Sequence, residues 1–331
     1  DAGFTAEAKG KDVGKYTMGL NADAFSVSSD SYTKITVVVN DGWLDITPIT
    51  DEVTVTITGN NDTKVYNATE QSVSGYTTDV GDKPIDVALK DGSKAEAKGI
   101  DADTYYMGLT AKDFTVTSKN YSNIKVNVVD GYLTITPSSD PVTVNITGST
   151  GSVLYNGGEQ SVIGYTTDVG NKTITVALKD GHKAEAKGTD AKTSYYMGLT
   201  EDSFNVTSRN YSNITVNVTD GWLEITRRTV HLESKGGTRE YDGTPLTKPD
   251  VTVTGDGFVA GEVSDIKAVG SVTFVDEGTV DNTITFTPGA KYNVNNYVIS
   301  KEEGKLSITP RTEEIIITTP TRSRAYNGNR L

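Results

Sequence analysis

The chain repeats itself at an interval just under ninety residues, and this period constrains its fold more than any other feature. Asp41-Gly42, Asp130-Gly131 and Asp220-Gly221 mark one point of the cycle, 89 and 90 residues apart, and Tyr66, Tyr155, Tyr241 and Tyr326 mark another. A repeat of that length can hold a small core of its own, whereas solenoid repeats of about 20–45 residues need their neighbours to bury a hydrophobic face. The expected organisation is a string of independent beads rather than the two domains that 331 residues would otherwise suggest.

Within the cycle, Asn120 to Pro137 (NYSNIKVNVVDGYLTITP) reads as a complete β-hairpin. Ile124, Val126 and Val128 alternate with Lys125, Asn127 and Val129, and Leu133 and Ile135 alternate with Thr134 and Thr136, the period of strands with one buried face. Asp130-Gly131 between them suits a tight two-residue turn. The same pattern recurs from Thr33 to Pro48 and from Ser212 to Thr226, and in divergent form from Asn295 to Pro310.

These recurrences divide the chain into 1–48, the later part of a truncated repeat; 49–137 and 138–226, two nearly identical repeats; 227–310, a divergent repeat; and 311–331, the start of a further one. In 49–137 the alternation of Val53 to Thr58 predicts a first strand, Gln71 to Thr77 a second, and Pro84 to Lys90 a third with Ile85, Val87 and Leu89 on one face. Lys94 to Lys98 is a short charged strand of the kind that protects a sheet edge, and Asp91-Gly92 is a tight turn. Leu109 to Phe114 is the one helical turn, capped by Thr110 with Asp113 three residues on. About seven short strands of this kind predict an all-β fold, a tandem array of small antiparallel Ig-like β-sandwich domains. A β-grasp-like unit is the alternative, but no repeat offers the helical period which that fold requires. Prolines at the short junctions, Thr47 to Asp51 and Thr136 to Pro141, predict stiff connections and an extended rod.

Composition excludes several functions. A net charge of −13 without basic clusters argues against nucleic acid and anionic membrane surfaces as partners. No cysteine is present, so there is no disulfide framework, thiolate nucleophile or cysteine metal site. No apolar run approaches the roughly 18 residues of a membrane span, so this stretch is not membrane-embedded. Nucleophile elbows, zinc-protease helices, phosphate loops and calcium loops are missing from the sequence, and the two histidines, His182 and His231, occupy non-equivalent positions in different repeats. No catalytic residue, cofactor or metal ligand is assigned. Asp51 and Glu52 could present carboxylates to calcium at one junction, but the equivalent junctions do not repeat them. Gln71 and Gln160 are equivalent, as are Asn127 and Asn217, but Val38 stands at the matching place in 1–48, which argues against an internal cross-link. The Asn-x-Ser/Thr sequons at Asn67, Asn120, Asn145, Asn205 and Asn213 carry no reading of glycosylation.

Aromatic residues are the candidates for contact with a partner. Trp43, Tyr132 and Trp222 each follow an Asp-Gly pair on the face opposite the core leucine, and Tyr105-Tyr106 and Tyr195-Tyr196 recur together. Exposed aromatic faces of this kind can stack on sugar rings, which makes host glycan or mucin the candidate partner.

The run Tyr241-Asp242-Gly243-Thr244-Pro245-Leu246-Thr247, followed by Asn295-Asn296-Tyr297-Val298-Ile299 and Gly304-Lys305-Leu306-Ser307-Ile308-Thr309-Pro310, resembles the YDG/MBG-type bacterial Ig-like tandem repeats of large cell-surface adhesins. Tyr155-Asn156-Gly157-Gly158-Glu159-Gln160 and Val65-Tyr66-Asn67 to Gln71 are similar to forms from gut Gram-positive bacteria, with Ala68 where glycine is usual. The resemblance implies a non-enzymatic, extracellular stalk at the cell surface or wall, whose partners are the neighbouring repeats of the same polypeptide and which projects something distal. Because 1–48 lacks first strands and 311–331 supplies only first strands, the sequence reads as a window of a longer repetitive polypeptide.

Overall fold

A computed structural model describes residues 5–330, so the first four residues of the 1–48 segment and Leu331 lie outside the described residues. The chain divides into two compact bodies. Among the described residues, one holds those up to Thr143 with Asn171–Thr175 and Val206–Thr215, and the other holds Val144–Gly170, Val176–Asn205 and those from Val216 onward.

In the first body, β1 (Gly14–Thr17) pairs antiparallel with β2 (Trp43–Ile46). The 49–137 repeat follows with ten strands: β3 (Val53–Gly59), β4 (Asn61–Val65), β5 (Gln71–Ser74), β6 (Tyr76–Asp79), β7 (Asp86–Leu89), β8 (Glu96–Gly99), β9 (Thr104–Tyr106), β10 (Phe114–Thr117), β11 (Ile124–Val129) and β12 (Tyr132–Thr136). Strand and three-residue 3-10 turns account for the regular structure among the described residues, so the fold is all-β and the helix of a β-grasp is not there.

The repeat is a small sandwich in two storeys. Below, the sheet β11-β3-β6 faces the pair β7-β10 over Val53, Val55, Ile57, Ile85, Leu109 and Phe114. Above, the sheet β4-β12-β9 faces the pair β5-β8 over Ala97, Ala102, Leu133 and Ile135. Burying each of the larger aliphatic side chains contributes about 1.5–3 kcal/mol. The alternation read from the sequence holds: Val53, Val55 and Ile57 are buried while their neighbours are not. The charged edge strand is present but shifted, running over Glu96–Gly99 rather than Lys94–Lys98, with Ala97 inside on β8 at the edge of its two-stranded sheet. The helical turn is a 3-10 turn at Ala111–Asp113, where the Asp113 carboxylate accepts from the Thr110 N–H and Oγ1–H, both at 2.8 Å.

The hairpin is a correction. β11 and β12 do not pair with each other but lie in different sheets, each running parallel to a strand about seventy residues upstream: Ile124↔Val53 to Val129↔Thr58, and Tyr132↔Asn61 to Thr136↔Val65. Asp130-Gly131 is a corner rather than a turn, and neither residue takes positive φ. Both strands of the parallel pair bend there together. A Cβ on Gly59 would lie 2.4 Å from the Gly131 nitrogen, and one on Gly131 would lie 2.5 Å from the Asn60 carbonyl oxygen, so the corner needs two glycines back to back. Asp130 has another task, its carboxylate accepting from Gly108 N–H at 3.0 Å and Leu109 N–H at 2.9 Å. Asp41 and Asp220 do the same for Gly19-Leu20 and Gly198-Leu199. The second predicted strand breaks into β5 and β6 at Gly75, whose φ is 93°, and such breaks raise the strand number from about seven to ten.

In the second body the same plan recurs. Thr150–Leu154 pairs in parallel with Trp222–Thr226, Arg228–Ser234 with Tyr297–Glu302, and Gly237–Glu240 with Lys305–Thr309. Antiparallel strands flank these parallel pairs, as where Arg228–Ser234 also meets Val251–Gly255. One core cluster runs without a break from Tyr155, Ala186, Leu223 and Ile225 to Val230, Leu232, Ile284 and Tyr297. Residues of 138–226 and of 227–310 both contribute to this cluster. Residues 311–330 form no strand, and Ile315, Ile316, Ile317 and Tyr326 are exposed.

Candidate functional site

One constellation recurs three times, and each time it joins residues of consecutive sequence repeats. Asn120 Oδ1 accepts from the Val13 N–H at 2.8 Å while its Nδ2 donates to Asp12 Oδ1 at 2.8 Å. Asn210 holds Ala102 and Asp101 in the same way, both at 2.7 Å. Asn296 holds Ala191 and Asp190, at 2.7 and 2.8 Å. The amide orientation is fixed by its partners, since the reverse would set NH2 against N–H and oxygen against carboxylate. Asn210 and Asn296 are fully buried, so both ends of each amide are committed in a site where an unmade hydrogen bond costs about 1–3 kcal/mol.

Each half of this clasp is itself held. The Asn120 and Asn210 N–H groups donate to Ser118 Oγ and Ser208 Oγ, at 3.2 and 3.1 Å. On the other side, Tyr16, Tyr105 and Tyr195 donate their hydroxyls to the carbonyls of Asp12, Asp101 and Asp190, at 2.7, 3.0 and 2.9 Å. Their rings lie so close to Gly10, Gly99 and Gly188 that a Cβ on any of these would stand 2.1–2.3 Å from ring carbon. The linker is gripped as well: Ile49 N–H donates to Asn120 O at 2.9 Å and Ser122 N–H to Ile49 O at 3.1 Å, and Ser138 repeats this with Asn210 and Ser212, both at 2.9 Å.

A pair of tyrosines forms the second contact. Tyr66 meets Tyr211 edge-on with ring centres 5.4 Å apart, and Tyr155 meets Tyr297 at 5.8 Å. Burial, then the neighbouring Tyr66, pushes the Tyr211 hydroxyl above its ordinary range. Between Tyr155 and Tyr297 lies Glu262, buried, accepting a hydroxyl from each at 2.6 Å. Burial foremost, and then the bond to Glu262, pushes Tyr155 up to about 12 and Tyr297 upward too. Arg228 braces the same place, its Nη1 donating to the Tyr155 carbonyl at 3.1 Å and its Nε to Gly257 O at 2.7 Å. These groups position chain segments against one another. None is a free nucleophile or base.

The residues singled out from the sequence fall into two sets. Tyr105 and Tyr195 belong to the clasp. Tyr106, 68% exposed, faces Tyr132 across β9 and β12 with ring centres 6.0 Å apart, and Tyr196, 67% exposed, faces the half-buried Trp222. Trp43 is exposed with Lys15 Nζ 4.0 Å above its ring. Glu52 points to Lys125 at 3.6 Å, and among the described residues no cluster of three or more His, Cys, Asp or Glu is placed to hold a metal. Gln71 and Gln160 donate to the carbonyls of Val65 and Leu154, at 3.0 and 3.2 Å. His231 Nδ1 sits 2.9 Å from Ser300 Oγ, and His182 lies in a turn onto Lys179. Asn120, read from the sequence as the start of a hairpin and as a sequon, is a clasp residue.

No family model matches the chain, and no curated protein does. Solved structures that it is similar to include the N-terminal four Ig domains of a Dscam1 isoform, 10% identical, covering 78% of this chain and 73% of that one at a TM-score of 0.15. The I9–I11 tandem of titin is also 10% identical, covering 78% of this chain and all of its own at a TM-score of 0.14. Superpositions that poor define no common family. The chain has no helix long and apolar enough to cross a membrane among the described residues.

Proposed function

We propose that the chain is a non-enzymatic spacer, part of the stalk of an extracellular bacterial surface adhesin that projects a distal binding domain. The observation that carries this reading is the clasp made by Asn120, Asn210 and Asn296, because it commits both ends of each amide, buried in Asn210 and Asn296, to holding one sequence repeat against the next. A spacer needs stiffness at its junctions and no open site. The repeats at 49–137, 138–226 and 227–310 are the stiffly joined units of this stalk, and the neighbouring repeats are their principal partners.

A second reading assigns binding to the repeats themselves. The exposed Tyr106 and Tyr196, set in cross-strand pairs with Tyr132 and Trp222, favour it, since such faces suit host glycan or mucin. A glycan array probed with the whole chain separates the two. The spacer reading expects no sugar-dependent signal. Binding that is lost in a Tyr106→Ala, Tyr196→Ala variant would overturn it in favour of the second.

A further inference from the structure

We propose that each of the repeats 49–137, 138–226 and 227–310 is a shear clamp: the segments through which the chain enters and leaves the repeat are bonded side by side in the same direction, so tension along the polypeptide strains their hydrogen bonds together. The inference takes the source of tension from the spacer reading, but its geometry stands on the strand register alone.

In 49–137 the entering segment is β3 and β4, and the leaving segment is β11 and β12. Their register holds an offset of 71 residues on both sides of the glycine corner, from Val53↔Ile124 to Val65↔Thr136. Backbone bonds extend the ladder at both ends. Ile49 exchanges bonds with Asn120 and Ser122 before β3 begins, and Tyr66 N–H donates to Thr136 O at 2.9 Å after β4 ends.

Tension pulls the entry at Ile49 one way and the exit at Thr136 the other. On a parallel pair these are opposite ends, so the two segments slide along each other, and the evenly spaced bonds of a parallel ladder share the load. An antiparallel pairing of first and last strands would bring entry and exit to one end and open the bonds singly. Resistance to force is set by the unfolding barrier, so a ladder that breaks all at once resists far more than its modest equilibrium stability suggests.

The arrangement recurs in the second body. Arg228↔Tyr297 to Glu233↔Glu302 and Gly237↔Leu306 to Glu240↔Thr309 form the same two-part ladder in 227–310, with Tyr241 N–H donating to Thr309 O at 2.9 Å. Thr150↔Trp222 to Leu154↔Thr226 is the upper part in 138–226, with Tyr155 N–H on Thr226 O at 3.0 Å. The bonds are between backbone groups, which is why the ladder persists where side chains diverge.

Single-molecule pulling on the whole chain tests this, because the protein has no cysteine and two introduced ones make unique handles. An Asp51→Cys, Ser139→Cys variant loads the ladder of 49–137 in shear, and an Asp51→Cys, Lys119→Cys variant peels it from the entry end. All three positions are exposed, so both variants should melt with the unmodified chain. If the peeling variant fails to fold, Glu52→Cys with Lys125→Cys supplies the same direction. The expected result is a rupture force several-fold higher in shear than in peeling. Equal forces, or a lower force in shear, would overturn the clamp, and they would leave the spacer reading to the glycan array, which does not depend on force.

Discussion

Asn210 and Asp101 lie 109 residues apart in sequence and meet through a 2.7 Å hydrogen bond, with the Ala102 N–H closing the other end of the same amide. Asn210 is fully buried, so its truncation leaves a backbone donor and a carboxylate without their partner.

Asn210→Ala should cost about 1–3 kcal/mol, the penalty of an unmade buried hydrogen bond. Asn210→Asp should cost more at neutral pH, because it sets a second carboxylate against Asp101, and it should recover as pH falls and the pair takes up a proton. Denaturant titration at two pH values checks both, and loss of exchange protection at the Ala102 N–H locates the damage.

Gly131→Ala should be among the most disruptive single-methyl changes. Its Cβ would stand 2.5 Å from the Asn60 carbonyl oxygen and 2.8 Å from the Gly59 carbonyl carbon, backbone atoms that cannot step aside. A loss of about 1–3 kcal/mol is expected from overpacking, and Gly221→Ala should match it against Ser149 and Gly148. Thermal melting of the two variants measures this.

Ala68→Gly should stabilise. Ala68 holds φ at 63° in the position where Gly157, Gly243 and Gly328 take 80°, 82° and 77°. In all four places the preceding Asn or Asp accepts an N–H from two residues on, as Asn67 does from Thr69 at 3.0 Å. Relief of left-handed strain should add up to about 1 kcal/mol, less the chain freedom that glycine brings to the unfolded state. A higher melting temperature is the readout.

Much of this fold is legible in the sequence, because alternation reports which strand faces are buried: Val53, Val55 and Ile57, and Leu133 and Ile135, all point inward. Pairing is less legible. β11, an Asp-Gly pair and β12 look like a hairpin locally, but each strand's partner lies 71 residues upstream, and no local pattern records that. The clasp was hidden for the same reason. Asn296 survives in the repeat whose surroundings diverge most, a signal that could have marked it, but its partner Asp190 lies 106 residues away.

Alkaline pH should loosen the contact around Glu262. The folded pKa of Tyr155 is raised from 10.0 to about 12, so the protonated hydroxyl stabilises the folded state fully below about 10, and that contribution is lost as pH climbs towards 12. Tyr297 shifts in the same direction. Stability measured between these limits should fall with pH, and Tyr155→Phe should flatten the slope.

If the clasp holds consecutive repeats in one arrangement, the distance across it is fixed. Spin labels at Lys125→Cys and Lys172→Cys, both in the first body, report it through their distance distribution. A clasp that holds the repeats together predicts one narrow distribution in the otherwise unmodified chain and a broad one when Asn210→Ala is added. A broad distribution before that substitution, or a narrow one after it, would contradict it.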